Sequence, residues 1–435
     1  MNMDFTGACL LFMFVAGPLA SLLAVNQDVT LGLTFFLIML YRQQSIRSMM
    51  PDCKNVSLVL ASLLFVVLGI YRIMFDVRPF IPFYIDDNLD STKSVIIFGG
   101  FLVQMLILGA YCGLMNYKRS RFKVNITSDV KPAVASYTPP LNLLIIIAWV
   151  PLIANLILYF LVFKGVGYVD IHVLAHGPLR IIMFSIFLTY GSMIIMGSDS
   201  YSKDRTFKIN LWLLLGFIVI YGVLLQLRSP LLACLLLVVY IYGHKVSSAL
   251  ILLLLIVSVV LFAIMGLVRD PSLAVDGIIV GTISSVLGLG ELADTLRYVL
   301  EQYGTKYPLW GAGISGSFFG TLEPMANLYA EEMAPDFFRT GGGFGFFFLA
   351  DLVGNFGKIG APIFLFMIGG IFSRLFYSKS GMLPYVLLSA VFSNLFGITR
   401  NDLGSTMKGV VYTIISVLII KYFCLILQGS QAKPS

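Results

Sequence analysis

Apolar runs divided by short polar stretches set the rhythm of this chain. They lie near residues 5–25, 28–41, 56–75, 95–117, 140–163, 179–197, 209–227, 230–248, 249–268, 358–377, 383–399 and 406–427. A helix needs ~20 apolar residues to cross the ~30 Å hydrocarbon core, so the pattern predicts about twelve transmembrane helices. The predicted fold is an all-α polytopic integral membrane protein. The pair 230–248 and 249–268 is the weak point. "PLLACLLLVVYIYGHK" supplies only about thirteen apolar residues after Pro230, ~20 Å of helix. Fusing it with the following run would invert everything downstream.

One segment breaks the rhythm. Residues 269–357 form a long connection between the ninth and tenth runs, whereas the other connections are short. Loops longer than ~15 residues are usually functional or disordered. "GISGSFFGTLEPMANLYAEEM" is too apolar and aromatic for disorder. "GELADTLRYVLEQY" predicts a short amphipathic helix with Leu292, Leu296, Val299, Leu300 and Tyr303 on one face. The chain therefore divides into a bundle of nine spans (1–268), the long loop with short amphipathic and re-entrant helices (269–357), three final spans (358–427) and a tail (428–435).

Composition agrees: 58% of residues are hydrophobic, 12% are charged and the mean hydropathy is +0.92. Soluble domains carry about 25% charged residues. The first run lacks a basic region before it and reads as a retained helix rather than a cleaved signal. The net charge of +7 sets orientation and does not point to nucleic acid. Arg42, Arg47 and Lys54, then Lys118, Arg119, Arg121, Lys123 and Lys131, then Lys203, Arg205 and Lys208 fill alternate loops. Such loops face the cytoplasm. The opposite loop at 76–94 carries Asp76, Asp86, Asp87 and Asp90, and residues 269–343 hold nine carboxylates against Arg269, Arg297, Lys306 and Arg339. Both fit the external side. The five cysteines form no CxxC pair or Cys/His ligand set, so no disulfide framework, metal or cofactor is expected.

Candidate chemistry gathers at the external face. Arg228 in "LQLRSP", Arg269 in "GLVRDP" and Arg400 in "GITRNDLGS" end outward-running helices, and Arg339 enters from the long loop. Each alone could snorkel to headgroups or complement a helix C-terminus. Their recurrence beside small and turn residues points instead to a diphosphate site, because the guanidinium fork offers five donors to such a group. "RTGGGFGFFFLADLVGNFGKIGAP" would form one wall. Gly341, Gly342 and Gly343 would let backbone N–H groups approach an anion. Asp351 is costly facing lipid and should line a cavity or pair with a cation. The alternative is a re-entrant plug with Asp351 paired to Lys358. Glu323, Glu332 and Asp402 are further carboxylate candidates, and Asp402 could instead orient Arg400. His172 and His176 could grip sugar or phosphate or be ordinary surface residues. Arg72 could join the site or snorkel.

With these motifs in place the chain resembles the Wzy-type O-antigen and oligosaccharide repeat-unit polymerases. "LQLRSPLLACLLLVVYIYG", "GLVRDP", the external loop running through "EPMANLYAEE" into "GGGFGFFFLADLVGNFGKIGAP", and "GITRNDLGS" carry the resemblance over about residues 205–415. It implies a GT-C-like, metal-independent glycosyltransferase in a Gram-negative inner membrane, with its active site facing the periplasm. The growing glycan on undecaprenyl diphosphate would be the donor and a lipid-linked repeat unit the acceptor. Carried onto matching positions, Arg228, Arg269 and Arg400 would contact the diphosphate or glycan, with Arg339 beside them and Asp351, Glu323, Asp402 or Glu332 as weak base. Membrane lipids and a chain-length-determining co-polymerase of the Wzz type are the implied partners. A lipid-linked oligosaccharide flippase and an O-antigen ligase are the competing readings.

Overall fold

The computed structural model describes residues 5–23, 27–48, 89–124, 139–166, 171, 174, 177–197, 205–225, 233, 237, 291–302, 309–333, 335, 346, 348–377, 382–394 and 402–431. Among them the chain is helical, without a strand. In chain order the helices are α1 (Phe5–Leu23), α2 (Gln27–Ser48), α3 (Leu89–Val124), α4 (Leu141–Leu158), α5 (Pro178–Phe184), α6 (Ile186–Met196), α7 (Arg205–Leu224), α8 (Glu291–Gln302), α9 (Ala312–Phe319), α10 (Met325–Met333), α11 (Phe348–Tyr377), α12 (Met382–Ser393) and α13 (Leu403–Gln431). Six segments are long and apolar enough to cross a bilayer: Ile97–Asn116, Leu141–Phe163, Pro178–Met196, Arg205–Leu224, Phe348–Leu375 and Leu403–Leu427. The protein is membrane-embedded. The expected spans at 56–75 and 249–268 lie outside the described residues, as does most of 230–248.

Two apolar clusters organise the bundle. One joins α1, α2 and α3 to α8, α10 and α11 around Phe14, Leu102, Tyr111, Phe346 and Leu349. The other joins α4, α5, α6 and α7 to α12 and α13 around Leu152, Met193, Phe207, Leu214 and Phe392. In α8, Leu296 and Val299 are fully buried, and Leu300 packs at the edge of the first cluster. Tyr298 is buried as well, against Tyr329. Outward residues of the spanning helices are apolar too. On α11, Ile359, Ile363, Met367 and Ile371 recur at helical spacing and are exposed, which makes them a lipid-facing stripe.

Among the described helices, α3 and α11 cross in backbone contact. A Cβ added to Gly109 would strike the backbone carbonyl of Phe366, one on Gly113 that of Gly370, and one on Gly369 that of Leu106. Small residues four apart let helix backbones meet inside a membrane, where association relies on close packing rather than on expulsion of water. The register rises together on both helices, Gly109 with Phe366 and Gly113 with Gly370, so the two run parallel. Phe184 meets Tyr412 and Gly191 meets Val417, so α5–α6 and α13 are also parallel.

Helix α11 is broken where the sequence has Gly357, whose φ of 73° and ψ of 177° are non-helical. Only glycine adopts such a conformation readily. Before the break, residues 348–355 are all buried in protein. After it, the helix carries the lipid-facing stripe. The first half of α11 is an apolar helix packed wholly inside the bundle, and this half positions the candidate site.

Candidate functional site

A helix break strands backbone carbonyls, which must find donors when buried. The carbonyls of Gly354 and Asn355 accept from the N–H groups of Leu309 (3.2 Å) and Gly311 (3.3 Å). That pairing pulls the segment before α9 onto the break. The start of α9 likewise leaves N–H groups without intrahelical partners, and Ile314 N donates to Asn355 Oδ1 at 3.1 Å. One side chain of α11 thus caps a helix distant in sequence.

The start of α13 is held from two sides. Asp402 directly precedes Leu403, and its Oδ1 accepts from Ser405 N at 2.8 Å, the geometry of an N-cap. The same oxygen accepts from Ser317 Oγ of α9 at 2.5 Å, and the hydroxyls of Ser317 and Ser405 lie 3.3 Å apart. Asp351 adds a second carboxylate: its Oδ2 accepts from Leu403 N at 2.8 Å and its Oδ1 from Asn355 Nδ2 at 2.9 Å. Gly404 permits the approach, because a Cβ there would lie 2.5 Å from the Ile314 carbonyl oxygen. Asp351 is 1% exposed and Asp402 4%. Two buried carboxylates at one helix start suit the positive end of the peptide dipoles.

Asp351, Asn355, Ser317, Asp402 and Ser405 form a polar seam where α9, α11 and α13 meet at one end of an apolar bundle. Both oxygens of Asp351 already accept hydrogen bonds, an arrangement that suits orientation better than proton abstraction. The pairing with Lys358 is not the one adopted. Lys358 lies beyond the Gly357 break and its neighbourhood is exposed, while Asp351 is satisfied by an amide side chain and a helix N–H.

The other described carboxylate candidates lie elsewhere. Glu323 is exposed and accepts from Asn327 Nδ2 at 3.3 Å. Glu332 is exposed and accepts a short hydrogen bond from the Tyr298 hydroxyl. Neither joins the seam's hydrogen bonds. Arg228, Arg269, Arg339, Arg400, His172, His176, Gly341, Gly342, Gly343 and Arg72 lie outside the described residues. Sequence reasoning missed Asn355, Ser317 and Ser405. For Ser405 the signal is indirect: an aspartate directly before an apolar run is a helix-start pattern, and an N-cap oxygen accepts from a backbone N–H two or three residues on. Asn355 and Ser317 carried none, because their roles depend on α9 lying across α11 and α13. Comparison with protein-family models, curated proteins and solved structures finds no match to this chain.

Proposed function

We propose that this protein is a polysaccharide polymerase, a metal-independent glycosyltransferase working at the periplasmic face of a Gram-negative inner membrane. It would move the growing glycan from undecaprenyl diphosphate onto a lipid-linked repeat unit. The observation that carries the reading is the polar seam, built at a single end of a membrane bundle by the long loop and the start of the last helix. Arg400 stands two residues before Asp402, which caps that helix, and the motifs in "GLVRDP" and "LQLRSP" belong to the same face by charge. A twelve-span, GT-C-like arrangement is part of the same proposal.

In this reading the acceptor hydroxyl forms a new bond to the donor's anomeric carbon while the bond to the diphosphate oxygen breaks. The hydroxyl proton passes to a weak base. The leaving diphosphate already carries its charge, so cations serve it better than a strong acid. Arg228, Arg269 and Arg400, with Arg339, would neutralise it, and one lost donor of this kind costs ~3–4 kcal/mol. Asp351 and Asp402 would hold the start of α13 in place rather than take the proton.

The test is a strain lacking the protein. A polymerase defect leaves single repeat units capped onto lipid A; repeats trapped on the cytoplasmic leaflet would mean a flippase instead. Complementation with Arg228→Lys or Arg269→Lys should restore insertion but not long glycan ladders. Normal ladders from both variants would remove the diphosphate argument.

A further inference from the structure

The stretch from Tyr307 to Leu322 contains no charged residue, with Lys306 before it and Glu323 after it. Within it, Trp310, Phe319 and Leu322 are 78%, 75% and 51% exposed. The segment is not loose. Trp310 has a φ of 51°, in the left-handed region that side chains rarely adopt. Such backbone persists only where its surroundings over-determine it. Here they do: the N–H groups on either side of Trp310, those of Leu309 and Gly311, are both bonded to α11 carbonyls at the Gly357 break.

Helix α9 then runs from the start of α11's spanning half to the first turn of α13. Gly311 lies against the Phe356 ring, and Ser317 lies against Gly404. Gly313, Gly316 and Ser317 face the protein, while Ala312, Ser315 and Phe319 face out. The outward face borders two lipid-facing surfaces, that of Ile359 and Ile363 on α11 and that of Met407 on α13. Water would not favour an uncharged face of this kind, whereas aromatic side chains concentrate at the membrane boundary.

We infer that the segment Leu309–Leu322 lies in the membrane interface, with Trp310, Phe319 and Leu322 inserted into the leaflet that α11 and α13 enter. The partner is a lipid surface, and the proposal stands whether or not the protein is a polymerase. Because α9 carries both Phe319 and Ser317, this anchoring fixes the depth of the polar seam at the headgroup level.

The test compares tryptophan emission of the full chain and of Trp310→Phe in phosphatidylcholine vesicles; the difference isolates Trp310. Lipid brominated near the top of the acyl chain should lower that share about twofold, since an interfacial segment sits ~5–10 Å into the headgroup–acyl boundary. Deeply brominated lipid should quench it less, and aqueous iodide least. Quenching by iodide without quenching by brominated lipid would overturn the inference and point to a water-facing platform. Insensitivity to both would overturn it in favour of burial against protein. A nitroxide on Ser315→Cys reads the same face without touching Trp310. Oxygen should broaden its spectrum more than a water-soluble nickel chelate does, and the reverse order would sink the proposal.

Discussion

Replacing Gly109 with alanine tests the crossing on which half the bundle rests. The new methyl would fall well inside contact distance of the Phe366 carbonyl, a backbone atom that cannot rotate away. Relief requires α3 and α11 to separate by roughly 1 Å along a seam that includes Leu106, Ala110 and Gly113. A gap of ~0.5–1 Å already forfeits a quarter to a half of each dispersion contact, and overpacking of this kind costs about 1–3 kcal/mol. Alanine is the better helix former by ~1 kcal/mol, which offsets part of the loss. The expected net cost is therefore up to ~2 kcal/mol for Gly109→Ala, and more when Gly113→Ala is added. Gly32→Ala on α2 and Gly216→Ala on α7 are the controls, because a Cβ at either meets nothing within 4 Å. Thermal unfolding of the four purified variants in one detergent should show the first two melting below the native protein and the controls at or above it. If Gly109→Ala melts with the controls, the helices do not meet through their backbones and the parallel register loses its basis.

Asp351→Ala removes the acceptor of Leu403 N and of Asn355, and leaving such buried donors unsatisfied costs ~1–3 kcal/mol each. The exchange Asp351→Asn with Asn355→Asp keeps acceptors for Leu403 and Ile314 and should recover most of the lost melting temperature; failure to recover more than Asp351→Ala would argue against the cap. Gln104, fully buried, donates to Ser21 Oγ and Thr34 Oγ1 at 2.5 and 3.0 Å. Gln104→Met should lower the melting temperature by an amount equivalent to ~0.5–2 kcal/mol, the range for hydrogen bonds between membrane helices, and an unchanged value would show that these bonds add nothing. Ser94 and Lys358 stand near the starts of two parallel spans, so cysteines there should react with a membrane-impermeant maleimide from the same face. Labelling from opposite faces would overturn the parallel register of α3 and α11.

Most of the architecture is one-dimensional information. A bilayer rewards any apolar stretch of sufficient length wherever it sits in the chain, so the runs ending in α4, α7 and α13 could be read directly. The helix at Glu291–Gln302 was legible for a related reason: its apolar residues repeat at the helical period, and Leu296 and Val299 went inside. The break in "ADLVGNFGKIG" is different in kind: the sequence placed a re-entrant segment before the run at 358–377, but whether that segment would face lipid, water or protein depended on what covered it.

Sequence alone therefore determined that the chain enters a membrane, because hydropathy acts locally along the chain. Tertiary structure alone decided what Asp351 does. Its hydrogen-bond partner Leu403 is 52 residues away, and nothing in "FLADLVG" says that a helix start will arrive there. A carboxylate buried among apolar residues must find donors, but covalent order does not say which. Only the crossing of α9, α11 and α13 turned an expected cavity charge into a helix cap.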